Sequence, residues 1–422
     1  MYNKFILKNG IRVVTENIPH VKSVSIGIWI ETGSRHEDQT NNGVSHFIEH
    51  MLFKGTKIRS AKEIAESIDN IGGQLNAFTS KECTCFYAKV LDNHLPIAIE
   101  VLCDMLFNSK FDDNDITKEK SVVIEEINMY EDSPEEIAHE LLSKTLFDDH
   151  PLAYPILGKS EILKQLKQKE ILDYLHKHYT PENIVISVAG NIDIKNTYKM
   201  LENKFGHWNS NKIEKEEQKL PLIKQRITSR LKSTEQLHLC LGMEGIPQGK
   251  SDLYSLLVLN NIFGGSMSSR LFQKIREDRG LVYSIYSYPS SYKDIGTYTI
   301  YAGLNPNQIG VVSKLINEEL NFIKKNPLSE TSINKAKEQL KGNYTLGLES
   351  TSSRMTSLGK SELLLGKIYS PKEILEKIDK VNVTSVANIV DRVFNNDKMN
   401  ISYVGNIKEE EKTNNRLRSI FF

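Results

Sequence analysis

The sequence feature that most constrains the fold is an internal repeat, in which three short segments of the first half recur in the second half. The pairs are residues 51–56 with 261–266, residues 115–120 with 332–337, and residues 188–191 with 403–406, at spacings of 210, 217 and 215 residues. Each match alone is weak, but the preserved order favours two homologous domains. A length of 422 residues also suits two domains better than one core.

The overall composition gives no support for several classes of function. Lys and Arg together number 54, as do Asp and Glu, so a zero net charge gives no support for nucleic-acid or polybasic membrane binding. No apolar run approaches 18 residues, and the start lacks a signal-peptide core, so we expect a cytoplasmic protein. Cys83 and Cys85 alternate within a strand-like run, which suits buried free thiols.

Hydrophobic periodicity predicts an alternation of strands and helices. Strands are expected over residues 5–17 (with a turn at Asn9-Gly10), 23–31, 74–79, 83–90 and 183–189. After a polar loop over residues 32–42, helices are expected near residues 43–55, 60–71, 94–108, 115–131, 134–147 and 167–178. The charged segment 209–221 lacks periodicity and ends in proline, which predicts a linker between domains 1–208 and 222–422.

The helix near residues 43–55 carries chemically specific side chains. His46, Glu49 and His50 share one helical face, because they stand three and four residues apart. Neutral imidazoles one turn apart can bind one zinc ion, and an adjacent glutamate can accept a proton from water. The order H-x-x-E-H is the inverse of a common zinc motif. A surface helix with two incidental histidines would show the same pattern.

A zinc enzyme also needs a third ligand. The helix near residues 115–131 carries Glu119 and Glu126, which are seven residues apart and therefore lie nearly on one stripe. Two carboxylates on a partly apolar stripe are costly to bury without a cation, which a metal ion would provide. From spacing alone, a solvated acidic helix face is the slightly favoured interpretation.

The repeat offsets predict that the second half lacks the candidate metal ligands of the first. They place Leu256, Leu259 and Asn260 where the first half has His46, Glu49 and His50, and Asn343 where it has Glu126. We therefore expect the second half to keep the scaffold without the metal chemistry.

Five segments carry a resemblance to a known family: HFIEHMLFKGT (46–56), LNAFTS (75–80), EKSVVIEE (119–126), FGGSMSSRLF (263–272) and REDRGLVY (276–283). They resemble the pitrilysin and mitochondrial processing peptidase family of zinc metalloendopeptidases, and its single-module bacterial members most closely. The resemblance spans essentially the whole chain.

The resemblance implies a set of catalytic and metal-binding residues. His46, His50 and Glu126 would bind one zinc ion per chain, and Glu49 would be the general base. Glu119 matches a second motif glutamate that supports the catalytic site. The family usually has arginine after that glutamate, whereas this chain has Lys120, which keeps the charge but loses the planar fork. The ligand types do not exclude manganese or cobalt in vitro.

The resemblance also implies two substrate contacts. Asn76 and Ala77 match an edge strand to which extended peptides add by β-augmentation. Arg276 and Tyr283 match a pair that contacts substrate near the scissile bond, where a tyrosine hydroxyl can donate to an oxyanion. Residues 264–266 resemble a glycine-containing loop. From the sequence alone, Asn76 and Ala77 are a plain strand end. Arg276 and Tyr283 are ordinary positions on a charged helix and the strand after it, and residues 264–266 are a helix-ending turn.

The expected fold class is α+β, with two homologous domains, each a mostly antiparallel sheet with helices packed on one face. The expected function is zinc-dependent endopeptidase cleavage of peptides or unfolded protein segments, without nucleic-acid or membrane partners. In two-module relatives the Arg–Tyr pair comes from the half opposite the zinc half, so we expect a clamshell homodimer around a chamber. A non-catalytic scaffold subunit and a processing subunit that needs a different, inactive partner remain open alternatives.

Overall fold

The structure, a computed structural model, describes residues 2–208 and 219–422. Its extended segments form two sheets. The strands, in chain order, are β1 (Tyr2–Ile6), β2 (Arg12–Asn17), β3 (Ser23–Ile30), β4 (Gln74–Thr79), β5 (Thr84–Leu91), β6 (Ile184–Gly190), β7 (Arg226–Leu231), β8 (Leu237–Gly245), β9 (Val282–Ser291), β10 (Gly296–Leu304) and β11 (Asn400–Gly405).

Helices alternate with these strands in both halves of the chain. They are α1 (Val44–Leu52), α2 (Ala61–Asp69), α3 (Leu95–Asn108), α4 (Asp113–Asp132), α5 (Pro134–Phe147), α6 (Ser160–Gln165), α7 (Gln168–His178), α8 (Ile194–Phe205), α9 (Asp252–Phe263), α10 (Ile309–Lys325), α11 (Glu330–Gly347), α12 (Thr351–Leu365), α13 (Pro371–Asp379), α14 (Val383–Val393) and α15 (Glu410–Phe421). No described helix combines the length and the apolar character that a membrane span requires.

The two sheets have the same strand order. In the first sheet the order is β1-β2-β6-β3-β5-β4, and in the second it is β7-β11-β8-β10-β9. Each sheet is antiparallel except for one parallel pair, β2 with β6 and β7 with β11. Apart from the extra β1, the second sheet therefore repeats the first strand for strand, as the repeated segments predict.

Period-two alternation separates the two faces of the first sheet. In β3, Val24, Ile26, Ile28 and Ile30 are buried in a core shared with residues of α1, α3 and α7. Trp29 lies on the opposite face, in a smaller core that includes residues of α12. Helices therefore cover one face of the sheet extensively, and a single helix covers part of the other.

The compact units are not contiguous in sequence. One contains the described parts of Met1–Asn128, Tyr154–Glu217 and Leu346–Ser370, and the other those of Met129–Ala153, Gln218–Thr345 and Pro371–Phe422. Helix α5, from the first half of the chain, packs on β8 and β11, and α12, from the second half, packs on β3 and β6. The predicted domains, 1–208 and 222–422, do not include this reciprocal exchange.

The predicted linker, 209–221, lies largely outside the described residues, and its last three positions have no regular secondary structure.

Candidate active site

The helix that carries the two histidines begins at a tightly built turn. Gly43 precedes α1 with φ of +100°, and a side chain there would lie 2.8 Å from Gly158 Cα, so glycine is required. The buried carboxylate of Glu37 accepts hydrogen bonds from the backbone N–H groups of Gly43 (2.7 Å) and Ser45 (2.8 Å). These N–H groups have no partner within the helix, so Glu37 caps α1 and fixes its start.

His46 and His50 project from α1 one turn apart, with ring centroids 4.6 Å apart and planes inclined by 67°. Helix α4 brings Glu126 to both. Its Oε2 atom lies 3.8 Å from His46 Nε2 and 3.5 Å from His50 Nε2. These three residues are the one group of three or more metal-ligating side chains that converge in the described part of the chain.

The geometry of this group fits a tetrahedral metal ion. Bonds of about 2.0–2.1 Å at tetrahedral angles place neighbouring donor atoms roughly 3.3–3.5 Å apart, close to the separations of Glu126 from both histidines. Burial, followed by repulsion from His50, lowers the pKa of His46 to about 3. His46 is therefore neutral at neutral pH, which is the form that binds a metal.

Glu119 contacts the Nδ1 atom of His50, on the side of the ring away from Glu126. Its Oε1 atom lies 2.8 Å from His50 Nδ1, and its Oε2 atom accepts from Lys54 Nζ at 2.7 Å. Burial raises the pKa of Glu119, but the hydrogen bonds from His50 and Lys54 outweigh it, so the net pKa is lowered. An ionised carboxylate on Nδ1 leaves Nε2 of His50 free to act as a ligand. His46 Nδ1, by contrast, is buried without a hydrogen-bond partner among the described residues.

Glu49 lies between the two histidines in sequence and is half-buried. Its Oε2 atom accepts a hydrogen bond of 2.5 Å from the hydroxyl of Thr79, at the end of β4. Burial raises the pKa of Glu49, and although Thr79 and His50 oppose this effect, the net pKa stays above its ordinary value. A carboxylate with a raised pKa beside a metal site is suited to accept and return a proton.

Strand β4 forms an edge of the first sheet, because β5 is its single partner among the described strands. Asn76 is exposed on this strand, and its Oδ1 atom accepts from the backbone N–H of Ala77 at 2.8 Å. An incoming extended chain could take the place of this side chain on the Ala77 N–H group.

Arg276 and Tyr283 lie together in the second unit. The Arg276 guanidinium is 4.7 Å from the Phe272 ring centroid and 6.0 Å from that of Tyr283, whose side chain is 74% exposed. Arg276 also lines a cavity of about 370 Å³ beside Gly264. Gly264 and Gly265 both donate to the Asn260 carbonyl, so this segment ends α9, as a helix-ending turn does.

The positions predicted to replace the three candidate metal ligands and Glu49 lie on α9 and α11. Leu256 and Leu259 are fully buried in the core of the second unit. Asn260 accepts from the Ser287 hydroxyl at 2.8 Å, and Asn343 is exposed. None of these four side chains offers an imidazole or a carboxylate.

Three residues that contact the site were not identified by the sequence reasoning. Glu37 lies in what the sequence suggests is only a polar loop, and its capping role depends on the folded turn. Lys54 and Thr79 fall inside the segments that carry the family resemblance, yet nothing in their spacing indicates which carboxylate each one contacts. Lys120 donates to the carbonyls of Lys164 and Leu166, so its contacts are with the end of α6.

A two-unit α+β fold with an H-x-x-E-H helix and a glutamate from a second helix defines a metallopeptidase-type site. Residues 12–160 match the family model described as insulinase (peptidase family M16), and residues 165–340 match the one described as peptidase M16 inactive domain. The chain therefore belongs to peptidase family M16, which confirms the predicted family.

Relatives extend over nearly the whole chain. The uncharacterized zinc protease YmxG of Bacillus subtilis is 50% identical over 94% of this chain and 97% of its own length. An uncharacterized zinc protease of Streptomyces coelicolor is 39% identical, over 96% of this chain and 90% of its own length. These names agree with the predicted zinc cofactor and protease class.

Solved structures share the fold at low sequence identity. A protease from Helicobacter pylori has a TM-score of 0.89 at 20% identity, over 96% of this chain and 99% of that chain. A chain of complex III from Candida albicans has a TM-score of 0.86 at 22% identity, over 98% of this chain and 99% of that chain. The predicted α+β fold class with two domains is thereby confirmed.

Proposed function

We propose that the protein is a zinc-dependent endopeptidase that cleaves peptides or unfolded protein segments. The observation that carries the proposal is the convergence of His46, His50 and Glu126 beside Glu49. His46 and His50 contribute neutral imidazoles, and Glu126 contributes a negative charge, which is a donor set that suits zinc.

Zinc, when bound, supplies Lewis-acid chemistry that polarises the peptide carbonyl and acidifies water. The residues of the chain do the rest. Glu49 accepts a proton from the attacking water and later donates it to the leaving amine nitrogen. Glu119 accepts a hydrogen bond from the Nδ1–H group of His50 and holds that ring in the tautomer and orientation that ligation requires.

Substrate binding is assigned to two places. An extended substrate would add to the free edge of β4 at Asn76 and Ala77 through main-chain hydrogen bonds, which select unfolded segments rather than one sequence. Arg276 and Tyr283 would hold the substrate carbonyl and donate to the oxyanion. In a homodimer that encloses a chamber in the cytoplasm, this pair would act on the site of the partner chain.

The direct test is cleavage of an unstructured peptide by the purified chain, with zinc content measured on the same sample. Wild-type protein should contain one zinc ion and lose activity in a chelator. Glu49→Gln should keep the zinc and lose about 10²–10⁴-fold in kcat, because the proton acceptor is gone. A Glu49→Gln chain that cleaved at the wild-type rate would contradict the assignment of the base.

Two further outcomes distinguish the alternatives. Zinc without cleavage by the isolated chain would favour a processing subunit that needs a different partner, and the absence of both would favour a scaffold subunit. The homodimer is tested by mixing Glu49→Gln chains with Arg276→Ala chains. Recovered activity in the mixed dimer supports a shared site, whereas none in a verified mixed dimer would refute the sharing.

A further inference from the structure

The hydroxyl of Thr79 contacts the carboxylate that the proposed function makes the general base. Thr79 is the last residue of β4, and its side chain lies on the same face of the strand as Leu75 and Ala77, which pack on the core containing α1. Its Oγ1 atom lies 2.5 Å from Glu49 Oε2. In the described part of the chain, this is the single hydrogen bond that Glu49 makes through its side chain.

The direction of this hydrogen bond follows from the carboxylate of Glu49, and the partners of a neighbouring hydroxyl are consistent with it. Thr84 stands opposite Thr79 in the β4–β5 ladder, and their Oγ1 atoms are 3.3 Å apart. A hydroxyl has one proton to donate. Thr84 donates its proton to the backbone carbonyl of Thr32 at 3.0 Å, and a carbonyl can only accept. An ionised Glu49 can also only accept. Its Oε2 atom, at 2.5 Å, is nearer to Thr79 Oγ1 than the Thr84 hydroxyl, so the single proton of Thr79 goes to Glu49 Oε2.

We infer that Thr79 is a positioning residue that gives the two oxygens of Glu49 different tasks. Oε2 is held by the Thr79 hydroxyl, and Oε1 is the oxygen that takes the proton of the attacking water and returns it to the leaving nitrogen. The inference deepens the proposed function and depends on it. It also joins the proposed substrate-binding strand to the proton-transfer group, because β4 contributes both the binding edge at Asn76 and Ala77 and the Thr79 hydroxyl that contacts Glu49.

The test replaces the hydroxyl while keeping the shape of the side chain. Thr79→Val removes the proton donor, and because hydrogen bonds to charged groups contribute about 1.5–3 kcal/mol, kcat should fall about 10- to 100-fold. KM for an unstructured peptide should stay within about twofold, and zinc content should remain at one per chain, since neither edge binding nor ligation uses this hydroxyl. Thr79→Ser keeps the donor and should retain kcat to within about threefold.

Thr84→Val is the matched control, because it removes a neighbouring hydroxyl that donates away from Glu49. Its kcat per folded chain should stay within about threefold of wild type. If Thr79→Val does not fold, Thr79→Ala is measured against the same criteria. An unchanged kcat, a loss confined to KM, a loss of zinc, failure of Thr79→Ser to restore the rate, or an equal loss in Thr84→Val would each overturn the inference. A wild-type chain that cleaves nothing would instead refute the proposed function.

Discussion

Helices α1 and α9 follow equivalent strands in two sheets of the same strand order, yet they present opposite chemistry. Helix α1 carries His46 and His50, which converge with Glu126 of α4. At the positions that correspond to His46 and Glu49, α9 carries Leu256 and Leu259, both fully buried. At the position of His50 it carries Asn260, which accepts from the Ser287 hydroxyl. The scaffold therefore does not determine the chemistry, because a few side-chain changes distinguish a polar face that carries a candidate metal site from a face that is mostly core.

Helices α4 and α11 occupy equivalent places in the two units and share one lysine contact. Lys120 donates to the carbonyls of Lys164 and Leu166, and the equivalent Lys337 donates to those of Asp379 and Val381. In each unit a lysine thus satisfies carbonyls at the end of the next short helix, α6 or α13. The retained residue has a structural contact, whereas Glu126, which has no acidic equivalent in α11, belongs to the candidate metal site.

The largest loss of zinc affinity is expected from replacing Glu126, which has no acidic equivalent in the second unit. Glu126→Gln removes the charged member of the ligand group, so zinc affinity should fall by more than the roughly 10- to 100-fold typical of losing an outer hydrogen-bond partner. Competition with a chromophoric chelator measures it. Glu125→Gln is the matched control, because it removes the same charge from an exposed neighbour on α4. Equal affinities of the two variants would remove Glu126 from the ligand group.

A smaller effect is expected from the partner of His50. Glu119→Gln keeps the shape but removes the charge that accepts from His50 and Lys54. Zinc affinity should fall about 10- to 100-fold, with the stoichiometry unchanged at saturating zinc. The same chelator competition measures the change. Wild-type affinity in this variant would mean that Glu119 does not support the ligand.

Helices α5 and α12 each pack on a sheet from the other half of the chain, and a glycine at each contact allows two substitutions to be compared for their effect on stability. Gly359 of α12 lies against Trp29, where an added Cβ would be 2.1 Å from Nε1 of the rigid ring. Gly242 of β8 lies against α5, where an added Cβ would meet flexible ends of Leu142 and Leu146 at 2.8–3.0 Å. Gly359→Ala should lower the free energy of unfolding by about 1–3 kcal/mol, and Gly242→Ala by less. Urea titration measures both, and the reverse order would contradict this account of the packing.

The smallest expected change in the free energy of unfolding is an increase, at Gly342. Gly342 lies within α11, and an added Cβ would meet nothing within 4 Å. Gly342→Ala should therefore raise the free energy of unfolding by about 0.5–1 kcal/mol, since alanine restricts the unfolded chain and favours the helix. Destabilisation of this variant in the same urea titration would show that α11 has contacts that the described structure lacks.

The sequence predicted the strands and the longer helices of the first half closely, because period-two and helical patterns are local properties, whereas α6 and α8 were not predicted. Strand β3 and helix α5 lie within one residue of their predicted limits. The exchange of α5 and α12 was not predictable, since an apolar helix face such as that of Leu142 and Leu146 fits either sheet. The contacts of Glu37, Lys54 and Thr79 depend on distances between separate elements, which no periodicity encodes.

The most direct test is anomalous scattering at the zinc absorption edge from crystals of the zinc-supplemented wild-type protein. The account predicts one peak per chain, within about 2.0–2.2 Å of His46, His50 and Glu126, and none beside Leu256 and Leu259. A vacant site in zinc-saturated crystals, or a peak bound by other residues, would contradict it.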